Sequence, residues 1–276
     1  SHLTYSMLKD RFPEKTNFIP HSLPEEIFYP LSKTDIDKFK PELIGKDRKD
    51  HFVAFWANRN AKRKRPNDLL WAWSIFIKNL KEKHGKSDAT LLLHTDPHDQ
   101  EGPNLFATAE LLNIKDSVVF STNRVDFAQM NALHNISDVC LNVSYAEGFG
   151  LGTLEAMQVG NPIIALKTGG LTRQVVDHRD GTENGVALPV EFKTLVGSQS
   201  VPYIYEDYVS AEKIADALMQ MYELGSEGRK ELGQKARNYA LSEFGYQKTI
   251  DLWHDSLLDL LENWKERHES WDVTTL

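Results

Sequence analysis

Short apolar runs separated by helix-length amphipathic stretches limit this chain more than any other feature. From residue 51 onward, 51–57 (HFVAFWA), 90–94 (TLLLH), 118–120 (VVF), 139–143 (VCLNV), 162–166 (PIIAL) and 186–190 (VALPV) read as strands. Between them, residues 67–83 place Leu70, Trp73, Ile77 and Leu80 on one helical face, and further helices are expected near 105–112, 126–135 and 152–159. Strands joined by helical crossovers pair in parallel with right-handed connections, so the pattern predicts an α/β fold built on a doubly wound parallel sheet.

The flanks read differently. Residues 1–50 hold extended, proline-punctuated pieces at 18–21 (FIPH) and 28–30 (FYP), then a charged stretch from 33 to 50 expected to be a short helix and a loop. Residues 191–208 are expected to be a long irregular segment. Three helices follow, near 211–222, 227–244 and 247–265, and the last carries Ile250, Trp253, Leu257, Leu258, Leu261 and Trp264 at helical spacing. That stripe either packs on the sheet or meets another domain. The chain therefore divides into a preceding segment (1–50), the sheet domain (51–210) and carboxy-terminal helices (211–276).

Composition excludes several classes. No apolar run approaches the roughly 18 residues of a membrane span, and no signal-peptide pattern opens the chain. The single cysteine, Cys140, rules out an internal disulfide and fits a reducing, cytoplasmic setting. A net charge of -8 argues against nucleic acid as a general partner. A local basic cluster on that acidic background calls for a reason.

In a doubly wound sheet, ligands sit beyond the carboxyl ends of the strands. The strongest candidate place follows Val143, where Ser144-Tyr145-Ala146 leads to EGFGLGTLE, from Glu147 to Glu155. Gly148, Gly150 and Gly152 let the backbone approach a ligand and expose its N–H groups around Phe149 and Leu151. The helix starting near Gly152-Thr153 adds the positive end of its dipole, which suits a diphosphate. Glu147 and Glu155 can face different parts of one extended ligand, and carboxylates accept the paired hydroxyls of a ribose or hexose. The plainer alternative is a capping turn with two solvated acids.

The second place follows the first strand, where NRNAKRKRP puts five cations in seven residues, Arg59 to Arg65. Guanidinium and ammonium groups bind phosphate oxygens strongly, and about two of the five are expected to touch ligand. The alternatives are a solvated loop or a nucleic-acid patch. The third is the glycine pair Gly169-Gly170 after the strand at 162–166, suited to a tight turn at the cleft rim, in a structural or a ligand-contacting role. His94 and His98 (HTDPH) have no helical register to bring both rings together and no further ligands at zinc-like spacing, so no metal site is expected.

The segment from Asp138 to Gly170 resembles the donor-binding, Rossmann-like domain of retaining family 4 glycosyltransferases of the GT-B fold. Their Glu-x7-Glu motif is matched by EGFGLGTLE, and the Arg and Lys after their first strand by Arg59 and Lys64. NFIPHSLPEEIFYP, from Asn17 to Pro30, is similar to the family's interdomain hinge. The resemblance implies a nucleoside-diphosphate sugar as co-substrate, with no metal and no other cofactor. Glu147 and the backbone of Gly148, Phe149, Gly150 and Leu151 would bind the donor sugar. Arg59, Lys64, Gly152 and Thr153 would hold the diphosphate and Glu155 the ribose. The base would lie near 121–124, at Asn123 and Arg124. Glu147, Arg59 and Lys64 would be the catalytic groups, with Glu147 holding ligand rather than acting as a clear nucleophile.

Two departures stand out. Thr172-Arg173-Gln174 follow the glycine pair where the family often has an acidic residue, and Arg65 stands where many members have glycine. The resemblance also implies an acceptor-binding amino-terminal GT-B domain outside this sequence, with an unknown acceptor. A stand-alone nucleotide-sugar-binding module without transferase activity is the main alternative. A related sugar-nucleotide epimerase or phosphorylase fits less well, for want of this motif spacing or of a pyridoxal lysine.

Overall fold

The structure, a computed structural model, describes residues 1–267 of the 276. Two helices precede the sheet, α1 (His2–Leu8) and α2 (Lys33–Ile44). Six strands follow: β1 (Phe52–Ala57), β2 (Ala89–His94), β3 (Val118–Ser121), β4 (Val139–Asn142), β5 (Ile163–Leu166) and β6 (Gly185–Leu188). The helices between them are α3 (Pro66–His84), α4 (Leu105–Leu111), α5 (Phe127–Asn135), α6 (Leu151–Val159) and the single turn α7 (Thr172–Val175). All pairings in the sheet are parallel, in the order β3-β2-β1-β4-β5-β6. The expected doubly wound sheet is therefore present. Its order reverses between β1 and β4, where such sheets open a crevice.

The two-residue period of β1 explains why both faces are covered. Phe52, Ala54 and Trp56 enter one apolar cluster with α3, α4 and α8 (Ala211–Glu223). Val53 and Phe55 point the other way, against α2 and α5. On that second face, Cys140, Ile163 and Ala165 pack on α6 and α9 (Gly225–Glu243). A Cβ on Gly233 of α9 would lie 1.8 Å from the Gly160 carbonyl oxygen, so this close helix contact admits only glycine. Arg229 of α9 binds the Asp138 carboxylate at 2.8 Å, and that carboxylate also accepts the Val53 N–H at 2.8 Å. This ion pair and the amide bond tie α9 to the sheet where β1 and β4 begin.

The extended segment before α2 is strapped to the helices. Tyr29 and Leu31 N–H groups donate to Asn131 and Asn135 at 3.2 and 2.7 Å, and Asn135 donates back to the Tyr29 carbonyl. Gln158 of α6 likewise donates to the Leu23 carbonyl.

One expectation is corrected, and one open choice is narrowed. Residues 191–208 contain an antiparallel hairpin, β7 (Phe192–Val196) with β8 (Ile204–Tyr208). Its polar residues, Lys193, Thr194, Glu206 and Asp207, hide the strand pattern in the sequence. Cross-strand pairs still hold it: Phe192 stacks on Tyr208 at 4.9 Å and Lys193 meets Asp207 at 3.4 Å. The last helix, α10 (Tyr246–Arg267), does not bury its apolar stripe on the sheet, for Trp253 is 53% and Leu261 71% exposed. Among the described residues no helix is long and apolar enough to cross a membrane.

Candidate functional site

The carboxyl ends of β1 and β4 bring the glycine loop and the basic loop together. Beyond β4, Asn142 accepts hydrogen bonds from the Ser144 amide and hydroxyl, at 3.2 and 2.7 Å, and so fixes the exit of the strand. The loop then runs through Glu147 to Gly150, whose φ of +93° begins α6. No side chain caps this helix, so its first amides stay open to an anion, with the dipole adding to their pull.

Lys64 reaches this loop. Its ammonium donates to the Glu147 carboxylate, and both side chains are almost wholly withdrawn from solvent. Burial lowers the Lys64 ammonium from the ordinary lysine range, and the hydrogen bond to Glu147 opposes that fall. Arg63 lies 3.8 Å from the same carboxylate. Lys64, Glu147, Phe149, Gly150, Leu151 and Gly152 thus surround one cavity of about 350 Å³. His21, Asn58 and Asn142 complete its wall. Asn58 and Asn142 could have been singled out from sequence as strand-end residues. His21 could not, because it arrives from the strap to pack edge-on against Phe149 at 5.0 Å.

Other residues of the two motifs face elsewhere. Arg59 is held by Asp99, with nitrogens 2.7 and 3.2 Å from the two carboxylate oxygens, and by Glu101 at 3.2 Å. It does not line the cavity in this geometry. Arg65 adopts a left-handed φ of +55°, a conformation that glycine takes without strain. Its guanidinium donates to the Val209 carbonyl, pairs with Asp68 and covers the Tyr208 ring at 4.9 Å, so it anchors the hairpin. The Thr153 hydroxyl points inward to the Gly150 carbonyl and the Gln174 side chain, leaving its backbone amide as the only group that can meet an anion.

Gln174 went unnoticed in the sequence except as a departure. Fully buried, it donates to the Phe149 and Gly150 carbonyls at 2.7 and 3.2 Å while accepting from Thr153. It thereby holds the glycine loop from below. A Gln174→Ala change leaves the Phe149 carbonyl unpaired, while the Gly150 carbonyl keeps the Leu154 amide, so a stability loss of roughly 1–3 kcal/mol is expected, read from urea denaturation. The glycine pair supports the same loop. A Cβ on Gly169 would fall 2.0 Å from the Glu147 carbonyl oxygen, and one on Gly170 2.4 Å from that of Gly148. Of the two roles open to this pair, the backbone contact gives it the structural one.

Glu155 belongs to a second group, one helical turn further along α6. Its Oε2 lies 2.9 Å from Nε2 of buried His134 on α5. His94 stands close by with its Nδ1 2.9 Å from the Ser121 hydroxyl. Burial lowers the His94 imidazole, His134 pushes it the same way, and Glu155 opposes. Asn123 and Arg124 lie exposed on the loop after Ser121. His98 packs on Phe106 at 5.3 Å, away from this group's hydrogen bonds. A larger apolar cavity of about 700 Å³ lies between α2 and α5, bordered by Ser121 and Val125.

A buried ammonium, open helix amides and a carboxylate on one wall can seat a diphosphate joined to a hydroxyl-rich group. Comparison with known proteins gives a family. Residues 39–239 match the model of the family described as glycosyl transferases group 1. A relative is D-inositol 3-phosphate glycosyltransferase 2 of Catenulispora acidiphila, 29% identical over 183 residues, 63% of this chain and 42% of the relative. The fold is similar to sucrose-phosphate synthase from Thermosynechococcus elongatus (TM-score 0.70, 21% identity, 93% of this chain and 56% of that one). It is also similar to HepE of Anabaena, solved in complex with UDP-glucose (TM-score 0.66, 18% identity, 87% and 56%). The chain spans about half the length of these proteins. Because the matched span takes in all six parallel strands, both glutamates of the Glu-x7-Glu loop and helices on either face, this chain belongs to the glycosyl transferases group 1 family.

Proposed function

We propose that the cleft between β1 and β4 binds a nucleoside-diphosphate sugar and forms the donor side of a retaining glycosyl transfer. The observation that carries this reading is the Lys64–Glu147 pair set against the uncapped start of α6. An ammonium has three donors, so Lys64 can hold the carboxylate and a phosphate oxygen together. The amides of Leu151, Gly152 and Thr153 would take further phosphate oxygens, and Glu147 the hydroxyls of the sugar. Glu155 would accept the ribose hydroxyls, and the base would lie along the Ser121–Arg124 loop. The UDP-glucose held by HepE, on the same fold, supports this class of ligand.

In this reading the departing diphosphate is neutralised by Lys64, by Arg59 once it swings from Asp99, and by the helix end. A divalent cation is then not required. Each such preorganised group contributes roughly 3–4 kcal/mol to the transition state. Glu147 acts as a ligand-holding group, and the leaving phosphate takes the acceptor proton in a front-face transfer. The acceptor site would belong to the part of the relatives' length that this chain does not match.

Calorimetry against UDP, GDP, ADP and their hexose conjugates tests the reading. One of these should bind, and Glu155→Ala and Arg59→Ala should each weaken it by roughly 10- to 100-fold, the worth of a charged hydrogen bond. If none bound at about 1 mM, a free energy weaker than roughly −4 kcal/mol, the donor-site reading would be lost.

A further inference from the structure

We propose that His134 is the positioning residue for Glu155, holding its carboxylate where it accepts ribose hydroxyls and so setting a preference for ribonucleotides over 2′-deoxyribonucleotides. This rests on the donor-site reading above and adds a residue and a selectivity to it.

The His134 ring has almost no freedom. It is fully buried, and it packs edge-on against Phe55 at 4.9 Å and Phe28 at 5.9 Å, with interplanar angles of 89° and 90°. Its own carbonyl accepts from Asn161 Nδ2 at 2.6 Å, which fixes the backbone beneath it. Nε2 lies 2.9 Å from Glu155 Oε2, while Nδ1 has no hydrogen-bond partner among the described residues. This contrast decides the tautomer. A carboxylate only accepts, so a proton on Nδ1 would leave a buried N–H unpaired and turn a ring lone pair toward an anion. The proton therefore sits on Nε2 and is donated to Oε2.

That bond anchors Oε2 and occupies one of its lone pairs, leaving Oε1 for a ligand. The other titratable groups facing the pair are His94 at the end of β2, kept neutral chiefly by burial, and Cys140 on β4, whose thiol burial and Glu155 hold in the protonated form. Neither makes the hydrogen bond to Glu155 that His134 makes. A carboxylate that cannot turn away is left underpaired when a ribose hydroxyl is missing, and such sites reject the analogue lacking the hydroxyl. A carboxylate released from His134 can turn to solvent and loses that discrimination.

Calorimetry with UDP and 2′-deoxy-UDP provides the test, with the GDP and ADP pairs used if uridine nucleotides do not bind. The unaltered chain should prefer the ribonucleotide by roughly tenfold or more. His134→Phe fills the aromatic slot without a donor, and should cut the ribonucleotide's advantage over the deoxy form to about twofold or less. His134→Gln restores a donor near the Nε2 position and should recover most of the preference. Should the Phe variant not fold, nitrogen-15 imidazole spectra of the unaltered chain decide the matter, with an Nε2–H tautomer expected and an Nδ1–H tautomer overturning the proposal. An undiminished preference in His134→Phe overturns this inference alone. Absence of nucleotide binding by the unaltered chain overturns the donor-site reading, and this inference with it.

Discussion

A Lys64→Ala variant is expected to lose roughly 100- to 1000-fold in affinity for a nucleoside diphosphate while keeping its affinity for the nucleoside alone. The lysine side chain is 8% exposed and donates to Glu147, itself 11% exposed, at the mouth of α6. Removing it takes away the buried cation and leaves a carboxylate facing the incoming phosphates, with Arg63 at 3.8 Å as the nearest counter-charge. A lost charged hydrogen bond to phosphate costs about 1.5–3 kcal/mol, and repulsion from the unpaired Glu147 carboxylate adds to it, which sets the size of the effect. Titration with UDP and with uridine separates the two contributions, because only the first carries the phosphates. The pH dependence has a definite sign. Burial favours loss of the Lys64 proton, so phosphate affinity should fall as pH rises toward the lysine range, earlier than exposed lysines would titrate. Equal UDP affinity in the variant and the unaltered chain would remove Lys64 from the phosphate site.

Gly170→Ala is expected to destabilise the chain by about 2–4 kcal/mol and to abolish nucleotide binding. The added Cβ would stand 2.4 Å from the Gly148 carbonyl oxygen and 2.5 Å from the Phe149 Cα, both backbone atoms of the loop that carries Glu147. A backbone atom cannot rotate aside as a side-chain tip can, so the loop must shift as a whole. The Gly170 N–H to Glu147 carbonyl bond, at 2.9 Å, would break with that shift. Gly148→Ala is the matched control, since its Cβ would meet nothing within 4 Å. It should change stability by no more than about 0.5 kcal/mol. Urea denaturation of both variants checks the contrast, and equal midpoints would show that the glycine pair is not what shapes the loop.

These two residues also show how far the chain could be read in advance. Lys64 was legible as a cation at a strand end and Glu147 as an acid before a glycine loop. Their contact was not, because 83 positions separate them and only the parallel pairing of β1 with β4 closes that gap. The same holds for Gly169 and Gly170, whose spacing suggested a rim turn with either role. Arg59 and Thr153 were expected among the phosphate contacts, beside Lys64 and Gly152. Arg59 is drawn to Asp99 on a different strand-end loop, and the Thr153 hydroxyl is turned inward by Gln174.

What the sequence determined by itself was local and periodic. Apolar runs of strand length, helical stripes and turn residues need only neighbours a few positions away to show their pattern. They were enough for the α/β class, the parallel sheet and the place of the glycine loop. Tertiary structure alone decided which charges meet, which hydroxyls face inward, that residues 192–208 pair as a hairpin and that His134 stands behind Glu155. Those outcomes depend on distances between segments far apart in the chain, which are set only once the core has closed around β1 and β4.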